Sequence, residues 1–126
     1  MADKINLHDA EILGLVHSKD KNEVCLSVQK EFGERLNLRF FEVLDFYFTP
    51  FSEEQNVLFS FEIIENRAKK ERWCRENELT KELTASVLEE CFTIYEFDSS
   101  VGMDGDILAK RMEVEWPSEE VIHMNK

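Results

Sequence analysis

The chain has 126 residues, 43% of them hydrophobic, and carries 27 acidic against 15 basic side chains for a formal net charge of −12. This is the commonest length for one domain, and the hydrophobic fraction with its ten phenylalanines excludes a disordered chain, so one self-sufficient β-rich domain is expected over residues 1–117. An acidic field of this size repels phosphate backbones and argues against general nucleic-acid binding.

The charge is unevenly placed. Residues 1–66 hold 13 acids and 6 bases, residues 67–88 hold 4 and 6, and residues 89–126 hold 10 and 3. Cys25, Cys74 and Cys91 are an odd number at wide spacing, which suits free thiols in a reducing compartment better than a disulfide framework. The opening residues lack an apolar stretch of signal-peptide length, and no window approaches 18 apolar residues. A cytoplasmic protein without a membrane span is expected.

Taken in chain order, a first strand is predicted from Glu11 to His17, followed by a polar turn at residues 18–22. In Glu23–Gln29, Val24, Leu26 and Val28 alternate with polar neighbours, the period of a sheet with one buried face. Phe32-Gly33 marks a turn before a third strand, in which Leu36, Leu38 and Phe40 alternate with Arg35, Asn37 and Arg39. Phe46–Phe48 predicts a short strand that stops before Pro50, and Val57, Phe59, Phe61 and Ile63 predict another. Leu26, Leu38, Phe40, Phe59 and Phe61 are the candidate core of one sheet face.

The charged run Arg67–Arg75 fits either a helix or an irregular loop. Beyond it, Leu79, Leu83 and Val87 recur every fourth residue, with Leu88 beside them, predicting a helix over about residues 78–90 with Asn77 as its N-cap. Phe92, Ile94 and Phe97, a glycine-containing turn at residues 99–106 and a strand over Ile107–Trp116 complete the pattern, and Pro117 should leave residues 118–126 as a mobile tail. The expected fold class is α+β: six or seven mostly antiparallel strands in hairpin order with one main helix packed on the sheet.

Residues with chemical potential are few. His8-Asp9 is the one adjacent His/carboxylate pair, and neighbours at a strand entrance point to opposite faces, so a structural role is expected: Asp9 bonding locally to backbone and His8 packing. His8, His17, His123 and the cysteines share no metal-ligand spacing, and Asp104-Gly-Asp106 lacks the remaining ligands of a calcium loop. Neither a nucleophile elbow nor a phosphate-binding glycine loop is present. No catalytic, cofactor or metal residue is therefore nominated, and no cofactor is expected.

Leu7-His-Asp-Ala-Glu11 leads directly into an apolar strand. It is followed by the pair Val24–Val28 and Leu36–Phe40, Phe41-Glu-Val43, an aromatic strand at Phe46–Phe51, Asn56–Phe61 and a closing strand–turn–strand at Phe92–Ser100 and Ile107–Trp116. This pattern resembles a class of small bacterial proteins that open with an L-H-D-A motif and are similar to immunity proteins of polymorphic-toxin and contact-dependent competition systems. The resemblance implies a protein that binds and occludes a cognate toxin, plausibly a basic nuclease, and it carries over no functional residues. The charge distribution, densest in acids in the carboxyl-terminal third, points to Asp98, Asp104, Asp106 and Glu113 as partner-binding acids. The alternatives are a non-catalytic adaptor domain, or a small ligand-binding protein or enzyme. The sequence leaves the oligomeric state open.

Overall fold

Along residues 23–29 every second side chain, Val24, Leu26 and Val28, is buried while its neighbours stay partly exposed. The same period carries Leu36, Leu38 and Phe40 inward. The computed structural model describes residues 6–50 and 55–116, and in it these alternations become six strands: β1 (Glu11–Ser18), β2 (Glu23–Gln29), β3 (Arg35–Phe48), β4 (Val57–Ile64), β5 (Thr93–Val101) and β6 (Gly105–Glu115). Two helices, α1 (Arg67–Glu76) and α2 (Lys81–Glu89), lie between β4 and β5. The fold is α+β, with antiparallel strands and a small helical layer packed against the sheet. The expected tail at residues 118–126 lies outside the described residues, as does His123.

The strands close into a barrel in the order β1-β2-β3-β6-β5-β4, with β4 returning to β1. Hairpin order therefore holds within β1–β3 and within β4–β6, but not at the two seams. The longer seam joins β3 to β6 from Asn37↔Glu115 to Phe48↔Gly105. The shorter joins β1 to β4 at Glu11↔Val57 and is extended by Ile12 N–H donating to Asn56 O and Leu58 N–H donating to Ala10 O, each at 2.8 Å. Closure satisfies edges that an open meander would leave unpaired, which is the physical gain in departing from simple hairpin order.

Irregularities in three strands bend the wall, and they explain where the expected pattern fails. Register shifts fall between Ile12 and Gly14 in β1, between Val43 and Asp45 in β3, and in β4 between Val57 and Leu58 and again between Leu58 and Ser60. The segments expected as a strand around 35–40 and a short strand at 46–48 are thus one bent strand, β3. The second shift in β4 turns Phe59 outward, so that it is 59% exposed, whereas Leu58 takes the buried position and Phe61 is half-buried against Tyr95 and Phe97. Phe59 is accordingly not a core residue: an extra residue in a strand reverses which side chain faces in. Leu26, Leu38 and Phe40 are fully buried as expected.

The run Arg67–Arg75 is helical. Asn66 is its N-cap, accepting from Lys69 N–H at 3.1 Å. Asn77 is the C-cap of α1 and not the N-cap of the next helix; Thr80 does that work, its hydroxyl accepting from Leu83 N–H at 3.1 Å. Glu78 takes a positive φ of 54° in the connection, which breaks the helix expected to begin there. A second apolar cluster of Trp73, Cys74 and Val87 with Phe92, Ile94 and Leu108 holds the helices on the outer face of β5 and β6. The turn between β5 and β6 is shorter than the expected 99–106, since β5 runs to Val101 and β6 begins at Gly105.

Candidate functional site

Strand pairing sets the charges on the outer wall. Beside the strip Ile64↔Ile94↔Leu108, which the helices approach, the next cross-strand row reads Glu62↔Glu96↔Asp106↔Tyr47 across β4, β5, β6 and β3. Three carboxylates thus lie side by side on neighbouring strands, a placement that is destabilising for directly opposed like charges. Asp98 follows Glu96 along β5 on the same face, opposite Ser60, whose hydroxyl donates to its Oδ2 at 3.5 Å. Asp45 approaches from β3. Tyr47, at the end of the row, is 63% exposed.

The helical layer makes this row unusual. The Trp73 indole N–H of α1 donates to Glu96 Oε2 at 3.1 Å, so α1 stands over one end of the row. Burial pushes Asp106 up to about 6 from an ordinary 3.8, with Asp45 and Glu96 adding to the shift. Glu96 is raised as well, first by burial and then by Asp98, Glu62 and Glu76, against the lowering effect of the Trp73 hydrogen bond. Among the described residues no ion pair within 4.0 Å reaches Glu62, Glu96, Asp98 or Asp106.

The four acids nominated from sequence therefore separate. Asp98 and Asp106 belong to the row. Asp104 is used inside the β5–β6 turn, where its Oδ1 accepts from Ser99 N–H at 2.6 Å and Ser99 Oγ at 3.0 Å, while its own N–H donates to Thr49 Oγ1 at 2.8 Å. Glu113 lies seven residues along β6 from Asp106, about 23 Å of strand, and pairs with Arg111 at 3.7 Å. The structure does not bring it to the same site. Glu62, Glu96, Asp45 and Tyr47 were missed because cross-strand register, invisible in one strand's sequence, is what assembles them.

His8 and Asp9 also depart from expectation. Ala10 N–H donates to Leu7 O at 2.9 Å, closing a tight turn whose third residue, Asp9, has a φ of 66°. Leu7 and Ala10 are buried while His8 and Asp9 are exposed, and the positive φ lets the two side chains meet, His8 Nδ1 lying 3.2 Å from Asp9 Oδ2. They do not point to opposite faces, because Asp9 precedes the strand in a left-handed conformation that Asp tolerates. His8 packs on Phe59, ring centroids 5.5 Å apart, as expected of a structural residue. The Leu-His-Asp-Ala opening thus has a folding reason: its apolar members plug the barrel and its polar pair rides the turn.

Around Arg39, by contrast, opposite charges are gathered together. Arg39 donates to both oxygens of Glu115, at 2.9 and 3.2 Å, and to Glu23 Oε1 at 3.3 Å. The Arg39 bond holds Glu115 below the usual carboxylate range. Cys25, Cys74 and Cys91 are free, and burial pushes the Cys25 and Cys74 thiols up. Among the described residues no three His, Cys, Asp or Glu side chains converge as metal ligands, and no helix is long and apolar enough to cross a membrane.

A groove of about 690 Å³ opens through the barrel wall beside β6, over Ile63, Tyr95, Met112, Val114 and Trp116. Its size falls within the range of ligand pockets. Arg111, at its rim, stacks over Phe41 at 4.0 Å and pairs with Glu113, while Lys110 Nζ donates to Glu90 O.

No protein-family model matches the chain, and no curated protein does. Among solved structures it is similar to an uncharacterized protein from Neisseria gonorrhoeae, with a TM-score of 0.56 and 13% identity over 90% of this chain and 97% of that one. The likeness extends over nearly the whole of both chains and concerns the fold.

Proposed function

We propose that this chain is a cytoplasmic immunity protein of the kind its opening motif suggests: it binds a basic protein toxin and blocks it by covering the toxin's substrate cleft. The observation that carries this reading is the row Glu62–Glu96–Asp106, with Asp45 and Asp98 beside it and Tyr47 at its end. Apart from the bond that Glu96 accepts from Trp73, opposed carboxylates repel one another, and lysines and arginines on a partner would relieve that repulsion. Tyr47 has the exposure and chemistry of an interface anchor: a large ring that a partner's pocket can desolvate and a hydroxyl that can still find a bond.

The mechanism is occlusion and involves no chemistry on this chain. Long-range attraction between the acidic face and a basic cleft speeds the encounter, and the short-range contact of Tyr47 slows dissociation. A nuclease suits this best, since the cleft that holds phosphate would present cations to the row.

Purification of the tagged chain from its native cell tests the reading. The expected result is one basic protein in stoichiometric amount, whose activity is lost in the complex and restored on dissociation. Tyr47→Ala should weaken that complex by about tenfold or more, mainly through the off-rate. A stoichiometric partner that keeps full activity in the complex would instead indicate an adaptor. An acidic partner, or one indifferent to Tyr47 and to the row, would exclude this face.

A further inference from the structure

The wall of the barrel is incomplete beside β6. On one side β6 is paired with β3 as far as Glu115, but on the other β5 reaches no further than Thr93↔Ala109. Among the described residues Lys110–Glu115 have no strand partner on that side, which leaves about 20 Å of open edge at ~3.4 Å per residue. The groove lies directly below, so Met112 and Val114, which pack against the barrel core, also line its opening. An open edge and an apolar floor at one place are the two components that strand addition satisfies together: main-chain bonds for the edge and side chains for the floor.

The sequence of the edge indicates what adds to it. Lys110-Arg111-Met112-Glu113-Val114-Glu115 carries two cations and two anions, making it a locally neutral stretch of a chain whose net charge is −12. If a second copy of the segment runs antiparallel across a twofold axis at Met112, Met112 meets its own copy, and each Arg111 stands opposite the Glu113 of the other chain. Both ion pairs are made by one rotation, as an isologous contact requires. The Arg111–Glu113 pair is already set within each chain at 3.7 Å, with both side chains more than half exposed, so pairing across the axis is an exchange between near neighbours. Trp116, 52% exposed at the end of the groove, would be covered by the same approach.

We propose that the chain forms a twofold homodimer by antiparallel pairing of β6 edges over this groove, on a surface separate from the acidic row. The test is sedimentation analysis of the full chain over a concentration series reaching ~100 μM, where an association of ordinary strength is populated. The expected species has about twice the 14.9 kDa chain mass. Arg111→Glu and Glu113→Arg each place like charges opposite one another and should weaken self-association at least about tenfold, whereas the double exchange R111E/E113R should restore it. Both side chains are exposed, so circular dichroism should show the variants folded. A monomer at every concentration overturns the proposal, as does a dimer insensitive to the single variants or a double variant that fails to recover.

Discussion

Two patches of the same barrel wall treat charge in opposite ways. Around Arg39 the fold gathers one cation between two carboxylates, Glu115 held by two hydrogen bonds and Glu23 by one, and every group gains from the arrangement. Around Asp106 it lays carboxylates from β4, β5 and β6 beside one another and half covers them with α1. The first patch stabilises the native state. The second acts against it through like-charge repulsion and burial, which under the proposed reading a basic partner would relieve. The difference teaches where to look: net charge is a property of the whole chain, but in the row register sets carboxylates directly opposite one another and burial raises two of them.

The largest expected effect comes from the glycine on which the row is built. A Cβ at Gly105 would sit 2.0 Å from Phe48 Cδ1 and 2.4 Å from Tyr47 O, closer than either can accept without moving. Gly105→Ala should cost about 3 kcal/mol or more in chemical denaturation, since the backbone of β3 must shift. It should also displace Asp106 and Tyr47 together. A loss below about 1 kcal/mol would show that the two strands are less tightly joined here.

Phe61 and Phe59 sharpen the contrast within one strand. Phe61→Ala removes a ring packed on Tyr95 and Phe97 and should cost about 2–4 kcal/mol, whereas Phe59→Ala removes an exposed ring and should cost under about 1 kcal/mol. Equal losses measured by denaturant midpoint would contradict the bulge between Leu58 and Ser60.

Arg39→Met should destabilise by about 1–2 kcal/mol, a modest figure because Arg39 is about one-third exposed and solvent screens part of the interaction. Asp106→Asn should act in the opposite direction. Asp106 has a folded pKa of about 6, above its unfolded 3.8, so the folded state holds the proton more tightly. Its contribution to stability is fully present below the unfolded value and is lost as pH rises through about 6. Wild-type stability should therefore decline between pH 4 and 6 through this group. Asp106→Asn should flatten that portion of the profile and gain about 1–2 kcal/mol at pH 7, as read from melting curves across the range. A wild-type profile unchanged by the substitution would remove Asp106 from the account.

Much of the fold was legible because period-two alternation is a local signal. β2 is found at its expected bounds, β1 differs by one residue, and the pattern in Leu36–Phe40 led to the right core. What escaped depended on partners. Phe59 follows the alternation perfectly yet faces outward, since a single extra residue in β4 is set by its pairing with β5. Asn77 has the chemistry of a helix cap but closes α1 instead of opening α2, because both ends of a short connection favour the same residue types. Of the acids, Asp98 and Asp106 were nominated by density in the carboxyl-terminal third, while Glu62 and Glu96 join them through register alone.

The most direct test of the acidic face is the association rate of the native partner, measured against salt for wild type and for the triple variant Glu62→Gln, Glu96→Gln, Asp106→Asn. Electrostatic capture requires the wild-type rate to fall as salt shortens the Debye length towards about 8 Å at physiological ionic strength. The triple variant should associate about tenfold more slowly at low salt, respond less to added salt, and keep an off-rate close to wild type. Equal association rates with equal salt dependence would show that the row plays no part in the encounter.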